Sequence, residues 1–364
     1  MAIRITNPSL ASPQLPRFFF AVYVLLVVYA TLHPLGGWRE PGGPAFGFVA
    51  APWPRYVTAF DLAANFFGYL PYGLLCVLAL IGRRSAAVAV VVALVSGAAM
   101  SLLLETAQSF LPPRIPSNVD VLANVAGTAA GAVAAARFAP WLLGGGPLRR
   151  LRAQALIPGA ATDLGLALLG LWLFAQLNPA TLLFGSGDLR DLVAGAAGEP
   201  HKPEIFVSIE AAVTAMNLVS VVVLFSAGAR SGAPVRRLAL LLVTVALSVK
   251  TLAFAILMRA EHVFAWLTPG AQLGLAAGIA LAAVALSLPH AVRLGVAAVL
   301  LMGATVLVNL APPNPYFAAI LKVWEQGHFL NFNGLTRLVS AAWPFAALAY
   351  LVYLASSRLR EPLR

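Results

Sequence analysis

A hydroxyl, an acid, an amide and a glycine recur at one spacing inside two long apolar runs. They are Thr58, Asp61, Asn65 and Gly68 in TAFDLAANFFG, and Ser117, Asp120, Asn124 and Gly127 in SNVDVLANVAG. Offsets of four and seven residues from each Asp return to the same helix face, so acid, amide and glycine line up along it. Between the copies lies the densest polar stretch, SLLLETAQSFLPPRIPSNVD. In it Ser101, Glu105 and Gln108 share a face and Arg114 follows in a proline-rich turn. Acids within a membrane span are usually paired or functional. A guanidinium beside them suits the phosphate or carboxylate of a ligand that the acids bind or deprotonate.

Each of these residues also has a structural reading. Thr58 with Asp61, and Ser117 with Asp120, have the spacing of a capping box, in which the acid meets the positive end of its helix. Glu105 and Arg114 are close enough in sequence to clamp their hairpin as an ion pair. The Asn residues lie deeper and need partners, because an unpaired amide in hydrocarbon costs several kcal/mol, on the order of 2–7. Gly68, Gly127 and Gly131 allow helices to approach closely. Both readings of the acids stand at this stage.

A second set of polar residues lies further along. Glu210, Thr214 and Asn217 repeat the spacing loosely, and Lys250 falls inside the apolar run LALLLVTVALSVKTLAFAILM. An intramembrane charge pair between Glu210 and Lys250 is the expectation.

The elements that must hold these residues are membrane helices. The chain is 60% hydrophobic and only 10% charged, with mean hydropathy +0.87, against about a quarter charged in soluble domains. Runs of about 20 apolar residues span a bilayer, and they occur near 18–34, 60–81, 86–110, 118–139, 162–183, 205–228, 238–258, 271–288, 294–310 and 338–356. The expected fold is therefore all-α, a polytopic membrane helix bundle of about ten transmembrane helices. A Gly-rich basic connection at 142–160 separates four spans from six, giving domains 1–148 and 149–364.

The net charge of +11 does not point to nucleic acid. Arg4, Arg17, Arg83, Arg84, Arg149, Arg150, Arg236 and Arg237 fall on one side of the alternating spans. That is the bias expected of a cytoplasmic-membrane protein with both termini in the cytoplasm. It also implies attraction to anionic membrane lipids. The acids of the repeated pattern then lie near the outer surface. Cys76 is the one cysteine, which excludes an intramolecular disulfide. The histidines have no zinc-binding spacing, and no nucleotide or cofactor fingerprint is present, so neither metal nor cofactor is expected.

The segments DLAANFFGYLPYGLL and ETAQSFLPPRIPSNVDVLANVAGTAAG resemble the VanZ-like family over about residues 18–140. Asp61, Asn65, Gly68, Pro71, Glu105, Gln108, Arg114, Ser117, Asp120, Asn124, Gly127 and Gly131 carry the resemblance. It implies a VanZ-like four-span unit, an envelope location and an association with teicoplanin-type glycopeptide resistance. The six-span unit lies outside it. The leading expectation is a protein that binds an anionic, lipid-linked envelope precursor. Glu105, Arg114 and Asp120 would contact the head group, with Asn65 and Asn124 as the floor and Gln108 and Asp61 as further ligand-binding candidates. An enzyme acting on a lipid head group through Glu105 or Asp120, and a passive or ion-coupled flippase using Lys250 and Glu210, are the alternatives.

Overall fold

The computed structural model describes residues 14–33, 35–112, 114–143, 147–190, 203–258, 262–312 and 330–358. Eleven helices follow one another along these residues. They are α1 (Leu15–Leu32), α2 (Ala59–Leu80), α3 (Ala86–Gln108), α4 (Asn118–Leu143), α5 (Pro147–Ala155) and α6 (Ala160–Ala175). There follow α7 (Pro203–Ala227), α8 (Val235–Leu257), α9 (Pro269–Ala285), α10 (His290–Leu310) and α11 (Leu330–Arg358). Eight are long and apolar enough to cross a membrane, and α6 and α9 are shorter apolar helices of 16 and 17 residues. The all-helical membrane class expected from composition therefore holds.

Two compact units are present. Unit 1 comprises residues 1–153 with 158–163, and unit 2 comprises 154–157 with 164–364.

Unit 1 is built on the contact between α2 and α4. A Cβ added at Gly127 would fall on the Phe66 carbonyl, and one at Gly131 on the Leu70 carbonyl. From the α2 side, Gly73 abuts the Thr128 carbonyl, and Gly97 of α3 abuts the Thr128 side chain. The partners advance together along both helices, so α2 and α4 run parallel with backbones in contact. Small residues permit this approach where water supplies no hydrophobic drive between helices. Gly68, by contrast, has nothing within 4 Å of the same position, so its expected packing role does not hold. Tyr69, Tyr72, Val27 and Leu104 fill the space among α1, α2 and α3. Asp163 accepts the backbone amides of Gln14 and Leu15 at the start of α1 and pairs with Arg152.

Unit 2 has a larger core, centred on Trp172, Phe184, Leu218, Phe254, Leu301 and Trp343. The span expected at 162–183 ends as a helix at Ala175. The physical reason is Asn178-Pro179: proline has no N–H to continue a helix and disfavours helical backbone in the residue before it. The chain then runs without regular structure to Arg190, yet Gln176, Asn178, Leu183, Phe184 and Ser186 are buried. Non-helical backbone at membrane depth is tolerated only where protein satisfies it. Here the Gln176 side chain accepts the Phe184 amide at 3.1 Å, and Thr214 of α7 donates to the Leu183 carbonyl at 3.2 Å. Asn309 of α10 donates to the Gly187 carbonyl and accepts the Leu189 amide. The Gly187 amide donates to the Ser340 carbonyl of α11. Polar residues scattered through three helices thus converge on one segment.

Candidate functional site

Because α2 and α4 are parallel, the acids of the repeated pattern meet at one end of unit 1. Asp61 and Asp120 lie close enough for their charges to act on each other, and the Asn65 side chain is a hydrogen-bond partner of Asp120. Asp61 is exposed and Asp120 half-buried. This acid end also receives the last turn of α3, which brings Glu105 and Gln108, and the turn that carries Arg114.

The two copies are capped differently. In α2, Thr58 accepts the Asp61 amide at 3.0 Å and donates its hydroxyl to the Asp61 carboxylate at 2.6 Å, so hydroxyl and acid close on each other. In α4, Ser117 accepts the Val119 amide at 3.2 Å, but the Ser117 amide itself donates to Glu105 at 3.0 Å. An acid from a neighbouring helix has taken the place that Asp120 would fill in a capping box, which leaves Asp120 to Asn65.

Glu105 is only 3% exposed, and its loss would strand the amide of half-buried Ser117. Glu105→Ala is expected to destabilise the protein by about 1–3 kcal/mol, whereas Glu105→Gln keeps an acceptor and most of the stability. Unfolding of the purified variants in detergent measures both. Equal effects of the two substitutions would show that the Ser117 contact contributes nothing.

Arg114 does not form an ion pair with Glu105 within 4 Å; the ion pairs found among the described residues lie elsewhere. Its guanidinium donates to the His33 carbonyl at 3.1 Å. Burial lowers the Arg114 pKa from its ordinary value, and the Glu105 charge partly offsets that. His33 is pushed below its usual pKa by burial and then by the Arg114 charge.

The surrounding hairpin is tied down by the end of α1 and the 35–51 loop. Gln108 donates to the Thr31 carbonyl, Ser109 to the Ala45 carbonyl and Asn118 to the Ala51 carbonyl. The Arg39 amide donates to the Phe110 carbonyl. Gln108 is therefore a fastener of the hairpin.

Asn124 lies one turn deeper and is 3% exposed. Its amide donates to the Ser101 hydroxyl at 2.9 Å, and Ser101 in turn is a hydrogen-bond partner of Tyr69. The Asn124 Oδ1 atom has no protein partner. This buried thread of Asn124, Ser101 and Tyr69 runs across α4, α3 and α2. Sequence reasoning missed Tyr69, since a tyrosine among Phe and Leu residues carries no spacing signal. It also missed Gly73 and Gly97, which lie outside the repeated pattern.

In unit 2, Lys250 is fully buried. Its ammonium donates to the carbonyls of Asn178 and Thr181, both at 2.8 Å, and to the Thr181 hydroxyl at 3.1 Å. It also lies 5.8 Å from the Phe254 ring centroid. Glu210 is a hydrogen-bond partner of Thr268 and acts on Lys250 only through longer-range attraction. The two are not within 4 Å of each other, so the expected pair is not a contact ion pair. The signal available in sequence was Asn178-Pro179, a helix terminator that frees carbonyls for a buried cation. Thr214 and Asn217 serve the same segment, Asn217 by accepting the Ser186 hydroxyl at 3.2 Å.

Residues 20–139 match the family model described as VanZ/LLP1. This covers α2 and α3 and most of α1 and α4, including every residue of the acid end, and does not extend into unit 2. No curated protein and no solved structure matches the chain. The protein is thus a polytopic membrane protein with a VanZ-like domain in unit 1.

Proposed function

We propose that unit 1 binds the head group of an anionic, lipid-linked envelope precursor at its acid end. In this reading the acid end faces outward from the cytoplasmic membrane and both termini lie inside, in keeping with the Arg-rich loops at the opposite end. The observation that carries the proposal is the state of Arg114. It is half-buried and held by one hydrogen bond to a neutral carbonyl, with no carboxylate in ion-pair contact. A guanidinium has five donors in a planar fork suited to phosphate. The loop that fixes it through His33 and the 35–51 segment leaves it pre-organised for an anion. Asp61, Asp120 and Asn65 at the same end of unit 1 are suited to hydroxyl and amine donors, such as those of a sugar or peptide attached to that phosphate. Glu105 serves behind the site by holding the first turn of α4, and Asn124 shapes the interior below it.

A glycopeptide-susceptibility phenotype would follow from sequestering or shielding such a precursor. Arg114→Ala is expected to reduce co-purification of the precursor by about tenfold or more, since charge-assisted hydrogen bonds contribute about 1.5–3 kcal/mol. Membrane abundance should stay unchanged, because the side chain forms a single internal hydrogen bond. Mass spectrometry of lipids carried by the gently purified protein reads the effect. Undiminished lipid retention in Arg114→Ala would remove the site.

A further inference from the structure

At the end of unit 2 where α8 and α10 begin and α9 finishes, Ala233, Pro234, Val235, Leu286 and three arginines line an open cleft of about 600 Å3. The arginines are Arg236, Arg237 and Arg293, and no acid contributes to the lining. The volume falls within the roughly 300–1,000 Å3 range of ligand clefts.

The walls are held in place by backbone hydrogen bonds. The Ile157 amide donates to the Gly228 carbonyl and the Arg230 amide to the Ala155 carbonyl, which fixes the turn before Ala233. On the opposite wall Arg236 donates to the Ser287 hydroxyl at 3.1 Å, and Arg293 lies 3.1 Å from the His290 ring nitrogen. The Arg236 contact is to a neutral hydroxyl, which orients that side chain and leaves its charge in place.

The surface just below is apolar. Leu240 and Leu241 lie four residues after Arg236 and Arg237, hence one turn deeper on the same faces of α8. They are 59% and 54% exposed. Val284 of α9 and Val292 of α10 are also exposed. Cations stacked directly over exposed aliphatic side chains match a molecule with an anionic head and hydrocarbon tails. A free anion would make no use of the lower surface.

We infer that this cleft is a binding site for an anionic phospholipid, with its phosphate on Arg236, Arg237 and Arg293 and its acyl chains along Leu240 and Leu241. It is separate in residues and in chemistry from the acid end of unit 1. A bound lipid would brace α8 against the α9–α10 turn.

Native mass spectrometry of the full-length protein in detergent tests this. Using the Arg114→Ala background keeps unit 1 from contributing to the count. Phosphatidylglycerol should be retained on that background, phosphatidylcholine should not, and millimolar glycerol 3-phosphate should fail to displace it. Each basic residue near a membrane surface is worth about a five-fold change in affinity. The triple substitution R236Q, R237Q and R293Q is therefore expected to weaken retention on the order of 100-fold. Replacing all three by lysine keeps the charge and should recover most of the binding, and it also controls for folding. Retention of phosphatidylglycerol by the glutamine triple variant at the unaltered level would overturn the proposal. So would equal retention of phosphatidylcholine, and so would displacement by glycerol 3-phosphate, which would mark a free-anion site.

Discussion

Gly127→Ala is expected to disrupt unit 1, while Gly68→Ala, at the matching position of the repeated pattern, should leave it intact or slightly more stable. At Gly127 a new Cβ would land on the Phe66 carbonyl. Backbone cannot yield as the end of a flexible side chain can, so α2 and α4 must part. Overpacking of this kind costs about 1–3 kcal/mol and occasionally more. Here the separation would also loosen the Gly131 and Gly73 approaches, so the upper end of that range or beyond is expected.

At Gly68 the same Cβ meets nothing within 4 Å. The Gly68 carbonyl still accepts the Tyr23 hydroxyl, and alanine improves helix propensity by about 1 kcal/mol. Thermal unfolding of the two purified variants in detergent separates them. Similar melting temperatures for both would show that α2 and α4 do not pack through their backbones at Gly127.

Lys250→Met should destabilise unit 2 around the 176–190 segment. Methionine keeps an apolar stem of comparable length but removes the donors that serve two carbonyls and a hydroxyl in the buried 178–181 turn. Each buried polar group left unsatisfied costs about 1–3 kcal/mol. The Asn178 carbonyl keeps the Thr181 amide and hydroxyl as donors, and relief from burying a charge offsets part of the rest, so a net loss of about 1–2 kcal/mol is expected.

The damage should be local first. Amide hydrogen exchange is expected to rise over 176–190 before the rest of unit 2 loosens. Adding Glu210→Gln should restore little, because the stranded atom is the Thr181 carbonyl oxygen, the Asn178 carbonyl keeping the Thr181 hydroxyl, and Glu210 has Thr268 as its own partner. Full rescue by Glu210→Gln would instead make charge balance the reason Lys250 is tolerated.

Much of the architecture was legible in one dimension. Span positions follow from the run lengths of apolar residues, which are a property of each segment by itself. The Thr58 and Asp61 cap was readable for the same reason, since both partners lie within one turn. Parallel α2 and α4 followed from counting crossings, and that placed Asp61 and Asp120 at one end.

Partner choice across helices was not readable in that way. Ser117 and Asp120 have the same spacing as Thr58 and Asp61, yet the Ser117 amide goes to Glu105 because α3 brings that carboxylate within 3.0 Å. Gly68 and Gly127 hold equivalent positions, but only one faces a neighbouring backbone. Lys250 lies closer to freed carbonyls than to the acid that charge alone would assign it, because Asn178-Pro179 ends α6 inside the bundle. Sequence by itself determined that this is a helical membrane protein, where most of its spans fall and which polar residues must find partners, because hydropathy and local capping depend only on neighbours along the chain. Which partners they found was decided by tertiary structure, because a hydrogen bond or a steric contact depends on distances of a few ångströms between segments that the chain brings together only on folding.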